Sequence, residues 1–340
     1  MQRGLHFRGI GLGHVVGPGH GHAAQADGAD LKLAEHALFH VTSSSRRTGY
    51  VSPVSAAEVR EFLARFDVTE LEADRFRGTC YPGWPGRAFG GQLAAQSLSA
   101  AAATVSGDFV PWSIHTYFHA PVRANEPIDY VVRRVKDGRT TATRQVLVEQ
   151  DGKLRVTAMV ALGVPGAGPQ HQFTPPPVPE PTALAPLERL LEPSIVSPDQ
   201  DHVALGYPAE ALVELRVVPA ELDAPDAGTF ARRIWMRVLP DIPDDPVTVA
   251  AALAYLSDIS LGTTALEPHG GRAALTDLQL GAIELALWFT RPARLSEWTL
   301  FSQDSAYAGL GHGLSHGAFF TASGDVIGIA VQNALMRSSH

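Results

Sequence analysis

Two stretches of this chain repeat each other at a fixed distance, and that repeat constrains the fold more than any other feature. Tyr117-Phe118-His119-Ala120-Pro121 matches Trp288-Phe289-Thr290-Arg291-Pro292 at an offset of 171 residues, and Glu126 falls on Glu297 at the same offset. Asp151-Gly152 and Ser323-Gly324 occupy equivalent turns once the second copy gains one residue. Whatever supersecondary unit the first copy builds, the second must build again. A chain of 340 residues is long enough for two such units, each with its own core.

The pattern within each copy is a helix followed by a run of strands. Ser55-Ala56-Ala57-Glu58 is a capping box that opens a short helix reaching about residue 66. After Phe89-Gly90-Gly91-Gln92, residues 93–105 are almost wholly Ala, Leu, Ser and Gln, so this helix is apolar nearly all round and predicts burial under a sheet. Strands are expected at 113–119, 128–136, 140–150 and 153–162, with hairpin signals at Asp137-Gly138 and Asp151-Gly152. Residues 164–188 are dense in proline and read as a semi-rigid linker. Beyond it the outline recurs: strands at 212–218 and 230–238, an apolar helix over 247–261, then strands at 278–290, 298–305, 313–321 and 326–337. The expected organisation is a flexible tail over 1–52, an N-terminal unit over 53–163, the linker over 164–188 and a C-terminal unit over 189–340.

Composition removes several function classes. At 45% hydrophobic and 18% charged residues the chain is globular rather than disordered. A net charge of −8 without a Lys/Arg stripe argues against nucleic acid as a partner. The apolar run 247–256 is too short to span a bilayer and meets Asp258 just beyond, so no membrane insertion is expected. The single cysteine, Cys80, excludes an internal disulfide or a multi-cysteine zinc cluster and points to a reducing, cytoplasmic setting, where it reads as a small buried residue rather than a nucleophile. Six histidines in the tail lack cysteine or carboxylate partners on a rigid frame, so no functional metal is expected. No dinucleotide or phosphate-binding glycine fingerprint occurs, and no cofactor is called for.

Four places carry chemistry. Asp258 has Ala254, Tyr255, Leu261 and Gly262 as helical neighbours, which makes it a carboxylate on an apolar stripe or a helix-end residue reaching solvent beside Gly262. Gln332 shares one strand face with Gly328, Ala330 and Ala334, so it packs closely against a helix or a pocket, or is satisfied by backbone groups. Gly313-Leu314-Ser315-His316-Gly317 matches the G-x-S-x-G pattern, but a hairpin rather than a helix follows it, and only Asp325 and His340 could complete a triad. His115 alternates with Ile114 and Thr116 on a strand and faces a pocket or serves the structure.

Taken together, Phe89-Gly90-Gly91-Gln92, Ser113-Ile114-His115-Thr116-Tyr117-Phe118, Lys136-Asp137-Gly138-Arg139, Ala254-Tyr255-Leu256-Ser257-Asp258, Leu287-Trp288-Phe289-Thr290-Arg291-Pro292 and Val331-Gln332-Asn333-Ala334-Leu335-Met336-Arg337 resemble the acyl-CoA thioesterase II family, in family order from about residue 70 to 337. The resemblance implies an α+β double hotdog, two tandem units each with a buried helix wrapped by an antiparallel sheet. It implies an acyl-CoA substrate and self-association into a homo-oligomer. It also implies a water held by an Asp, a Ser or Thr, and a Gln. Asp258 and Gln332 match the first and last. The hydroxyl position, six before the Trp-Phe pair, is Ala282 here, and Trp112 stands where a His is common in the family. Gly90, Gly91, Gln92, His115 and Ala282 are expected around the substrate. The hydrolase reading carries an alternative, a hotdog protein that binds acyl-CoA or acyl carrier thioesters with little or no hydrolysis, which Ala282 favours.

Overall fold

The structure, a computed structural model, describes residues 55–84, 86–185, 212–223, 230–270 and 278–338. The tail expected over 1–52 lies outside the described residues. The first half contains α1 (Ala56–Leu63), β1 (Thr69–Glu72), β2 (Arg75–Thr79), a small hairpin of β3 (Pro82–Trp84) and β4 (Arg87–Ala88), α2 (Gly90–Ala102), β5 (Val110–Phe118), β6 (Pro127–Asp137), β7 (Thr141–Gln150) and β8 (Lys153–Gly163). The second contains β9 (Val213–Val217), β10 (Phe230–Val238), α3 (Pro246–Ser257), the single turn α4 (Leu261–Thr264), β11 (Leu278–Phe289), β12 (Thr299–Gly309), β13 (His312–Thr321) and β14 (Val326–Ser338).

Twelve of these strands form one antiparallel sheet in the order β1-β2-β6-β7-β8-β5-β11-β14-β13-β12-β10-β9. From its two ends the order is the same: β9, β10, β12, β13, β14 and β11 repeat β1, β2, β6, β7, β8 and β5. The halves therefore meet as pseudo-twofold mates along β5 and β11, where Thr116 lies opposite Leu285 and Ile114 opposite Leu287. The strand ends at Phe118 and Phe289 are the repeated stretch of the sequence. This is the double hotdog the resemblance implied.

Helices α2 and α3 lie on the inner face, packed on each other. Ten of the thirteen residues of α2 are buried, as are nine of the twelve in α3. Neither presents a polar face, because the sheet covers one side and the sister helix another. The helical run Pro246–His269 is long and apolar enough to cross a membrane, yet 83% of its most apolar window is buried inside the fold. Its hydrophobicity is that of a core.

Asp151 and Gly152 both have positive φ, 53° and 69°, which is the two-residue hairpin turn expected there. Asp137-Gly138 differs. Asp137 still belongs to β6, and Gly138 N–H donates to Thr141 O, closing a longer loop. The short, polar strands β1 to β4 have no apolar period, and the sequence reading passed over them.

The proline-rich segment is more than a spacer. Gln172 pairs with the backbone of Gly324 and Val326, Phe173 stacks edge-on against Phe320, and Pro179 O accepts from Trp235 Nε1 at 2.9 Å. The strap thus covers a second small core of Leu184, Val218, Trp235, Leu300, Phe320 and Val326. An extended proline chain suits this task because little conformational entropy is left to lose.

Candidate active site

Asp258 is the first residue past α3, at its C-cap with φ −77° and ψ −9°. There its side chain turns toward the N-terminus of α2 in the other half. Gly91 N–H donates to Asp258 Oδ2 at 2.7 Å, and Gln332 Nε2 donates to Oδ1 at 2.5 Å. Phe89, at the N-cap of α2, brings no side-chain oxygen, so a carboxylate from the far half performs the capping that a local Ser or Asp performs elsewhere.

This approach requires the two glycines. A Cβ on Gly91 would stand 2.7 Å from Tyr255 O and 2.9 Å from Asp258 Cβ, and one on Gly90 would stand 2.8 Å from Asp258 Oδ2. On the other side, a Cβ on Gly262 would stand 3.1 Å from Gln332 Oε1. Burial pushes the Asp258 carboxyl up to about 6, against the opposing pull of the two hydrogen bonds from Gln332 and Gly91. A carboxylate near 6 is a stronger base than an exposed one and still ionised at neutral pH.

These groups border a cavity of about 390 Å³ whose wall includes Gly90, Phe118, Asp258, Gly262, Ala282 and Gln332. Of the residues expected at the site, Gly90, Asp258, Ala282 and Gln332 line it, and Gly91 reaches it through its N–H. Two do not. Gln92 turns away from the cavity: its Oε1 accepts from Tyr81 N–H at 2.9 Å and its Nε2 donates to Thr79 O. His115 lies on the opposite face of the sheet from Ile114 and Thr116, edge-on to Trp288 at 4.9 Å. Gly262 and the strand end Phe118-His119-Ala120-Pro121 were missed as wall residues, although the repeat itself marks that strand end.

The pseudo-twofold supplies a comparison within the molecule. A second cavity of about 450 Å³ is lined by the first turn of α3 and by Phe289-Thr290-Arg291-Pro292, the mates of the first cavity's wall. Among the described residues its wall has no carboxylate, and the one charged residue there, Arg291, is paired with Asp325. The register explains the difference. Gln332 lies opposite Leu285, whose mate at the 171-residue offset is Ile114, and Ile114 lies opposite Val160. The amide is replaced by an isopropyl group, and Asp245 caps α3 locally. Of these two cavities, the first alone has a carboxylate among its described wall residues.

The position of Ser315 adds to the sequence argument against the G-x-S-x-G match. Ser315 is in mid-strand and fully buried, with no base against its hydroxyl, and Asp325 is held by Arg291. His340 lies outside the described residues. Cys80 is buried and its thiol is pushed up to about 12 by desolvation, which leaves it inert. Among the described residues no group of three or more potential metal ligands occurs.

Comparison with known proteins agrees with this architecture. The acyl-CoA thioesterase N-terminal domain profile matches residues 81–163, and the acyl-CoA thioesterase profile matches residues 209–335. Acyl-coenzyme A thioesterase 8 of Mus musculus is 31% identical over 281 residues, covering 78% of this chain and 86% of the mouse protein. Acyl-CoA thioesterase 2 of Haemophilus influenzae is 30% identical over 254 residues, covering 74% and 88%. The crystal structure of an acyl-CoA thioesterase II from Mycobacterium marinum superimposes with a TM-score of 0.70 at 31% identity, over 81% of this chain and 98% of that one. Fold and relatives together define a hotdog-fold thioesterase. The chain belongs to the acyl-CoA thioesterase family, whose members are acyl-CoA thioester hydrolases.

Proposed function

We propose that this protein hydrolyses acyl-CoA to free acid and CoA in the first cavity, using a water activated by Asp258 and positioned by Gln332. The observation that carries this reading is the convergence of Gly91 N–H and Gln332 Nε2 on one carboxylate whose proton affinity is raised toward neutrality. A thioester carbonyl is electrophilic enough for direct attack by such a water. Asp258 takes the water's proton as the new C–O bond forms, and the first turn of α2, bordering the cavity at Gly90, stabilises the oxyanion. Collapse breaks the C–S bond, and the proton held on Asp258 passes to the departing CoA thiolate. No covalent acyl-enzyme is needed. The acyl chain lies along Phe89, Leu93, Phe118 and Leu280.

Ala282 supports a second reading, in which acyl-CoA or an acyl carrier thioester binds with little turnover, because a methyl group stands where the family carries a hydroxyl. Purified protein offered a panel of acyl-CoAs of different chain length, with release of free thiol recorded, separates the two. Turnover that disappears in Asp258→Asn supports hydrolysis at this site. Tight binding without thiol release supports the second reading, and wild-type turnover in Asp258→Asn overturns the first.

A further inference from the structure

Ser315 has no base beside it among the described residues, yet it sits next to Gln332, a cavity-wall residue whose buried Oε1 has no hydrogen-bond partner there. β13 and β14 place it directly opposite Gln332, and both side chains are on the inner face, 0% and 2% exposed. Opposed residues in an antiparallel pair have Cβ atoms roughly 4.5–5.5 Å apart, and diagonal neighbours remain within reach of long side chains. On the next strand Gln303, also 0% exposed, lies opposite Gly317 and so diagonal to Ser315.

Among the described residues, three buried polar atoms of this row have no hydrogen-bond partner: Gln303 Nε2, Ser315 Oγ and Gln332 Oε1. They are a donor, a group that both donates and accepts, and an acceptor. That is the complement of a chain running from Gln303 through Ser315 to Gln332. The other end of each amide is already committed. Gln303 Oε1 accepts from Ser260 Oγ at 3.0 Å and Thr264 Oγ1 at 2.9 Å, and Gln332 Nε2 donates to Asp258.

We propose that Ser315 is a positioning residue for the reaction, its hydroxyl accepting from Gln303 Nε2 and donating to Gln332 Oε1 in the working enzyme. This rests on the reading of Asp258 and Gln332 as the hydrolytic pair. A primary amide has nearly the same shape when turned by half a turn, but the turned form would set Gln332 Oε1 against the Asp258 carboxylate, acceptor against acceptor. A donor on Oε1 removes that ambiguity. It keeps Nε2 on Asp258, and through Gln303 it ties the amide to Ser260 and Thr264, in the segment that follows Asp258.

The test compares wild type, Ser315→Ala, Ser315→Thr and Asp258→Asn for kcat, KM and the pH dependence of kcat/KM. Ser315→Ala is expected to lower kcat about tenfold with KM within about twofold, and to move the acid limb to higher pH as Asp258 loses a fixed donor. Ser315→Thr, which keeps the hydroxyl, restores both. Wild-type kcat and an unmoved acid limb in Ser315→Ala, with Asp258→Asn inactive, overturn the role of Ser315 and leave the hydrolytic pair standing. Full activity in Asp258→Asn overturns the pair itself. Should the alanine variant fail to fold, Ser315→Cys, close in size and a much weaker donor, replaces it: a loss like that expected for alanine supports the role, and wild-type kinetics overturn it.

Discussion

Gln332 and Asp258, 74 residues apart, meet through a 2.5 Å hydrogen bond between an amide in the middle of a strand and a carboxylate at the end of a helix. The bond ties the end of α3 to β14, two of the elements that face the cavity from the second half. Gln332→Ala is expected to cut kcat by roughly two orders of magnitude, about 3 kcal/mol, the usual cost of one preorganised electrostatic contact. KM should change little, since the role proposed for Gln332 is to position the attacking water rather than the substrate. Steady-state kinetics on a single acyl-CoA checks this, and a rise in KM with kcat intact would assign Gln332 to substrate binding instead.

Under the proposed mechanism Asp258 sets the pH dependence. With the carboxyl raised to about 6, kcat/KM should climb through an apparent pKa near 6 and level off above it, because only the ionised form accepts a proton. Stability runs the other way. The folded state holds this proton more tightly than the unfolded chain, whose carboxyl lies near 3.8, so its contribution is fully present below about 4 and lost as pH rises through 6. Asp258→Asn should abolish turnover, and its stability relative to wild type should rise by on the order of 1–3 kcal/mol between pH 4.5 and pH 7, where only the wild type carries the buried charge. Thermal melts of both proteins at the two pH values test this.

Gly91 is the narrowest tolerance in the site. In Gly91→Ala the new methyl would meet Tyr255 O and Asp258 Cβ, so α2 must retreat from α3. The expected cost is about 1–3 kcal/mol of stability. Turnover should fall more than tenfold, with the acid limb displaced upward as the N–H contact to Asp258 weakens. A chemical denaturation curve and a pH profile read the two effects separately.

The repeat made the fold legible because a strand end and its following proline recur at one offset, and such an offset has few structural explanations. The site was legible only in part. Asp258 and Gln332 stand out as polar groups in apolar surroundings, but that Gly91 caps onto Asp258 depends on how the two halves pack, which no local pattern carries. Gln92 misled because α2 is apolar all round, so nothing in its sequence distinguishes the cavity side from the side facing residues 79–81. His115 misled because both faces of β5 mix polar and apolar residues, Ile114 and Thr116 inward, His115 and Tyr117 outward. The proline segment read as a spacer because the need to cover Trp235 and Phe320 arises on the outer face of a distant part of the sheet.

Ala282 offers the most direct manipulation of the chemistry. It lies opposite Ala334, next to a bulge at Ile283, and both alanines line the cavity. A β-branched residue suits a strand position of this kind. Ala282→Thr adds a hydroxyl to the wall that Ala282 shares with Asp258 and Gln332. Turnover is expected to rise about tenfold, in line with about 1 kcal/mol or slightly more for one added hydrogen bond, with KM nearly constant. If the native protein releases thiol only slowly, the same substitution should convert it into an evident hydrolase. An unchanged rate in a variant that binds acyl-CoA normally would mean that this chain orients its water without that hydroxyl, and attention would pass to the Gln303, Ser315 and Gln332 row as the alternative source of order.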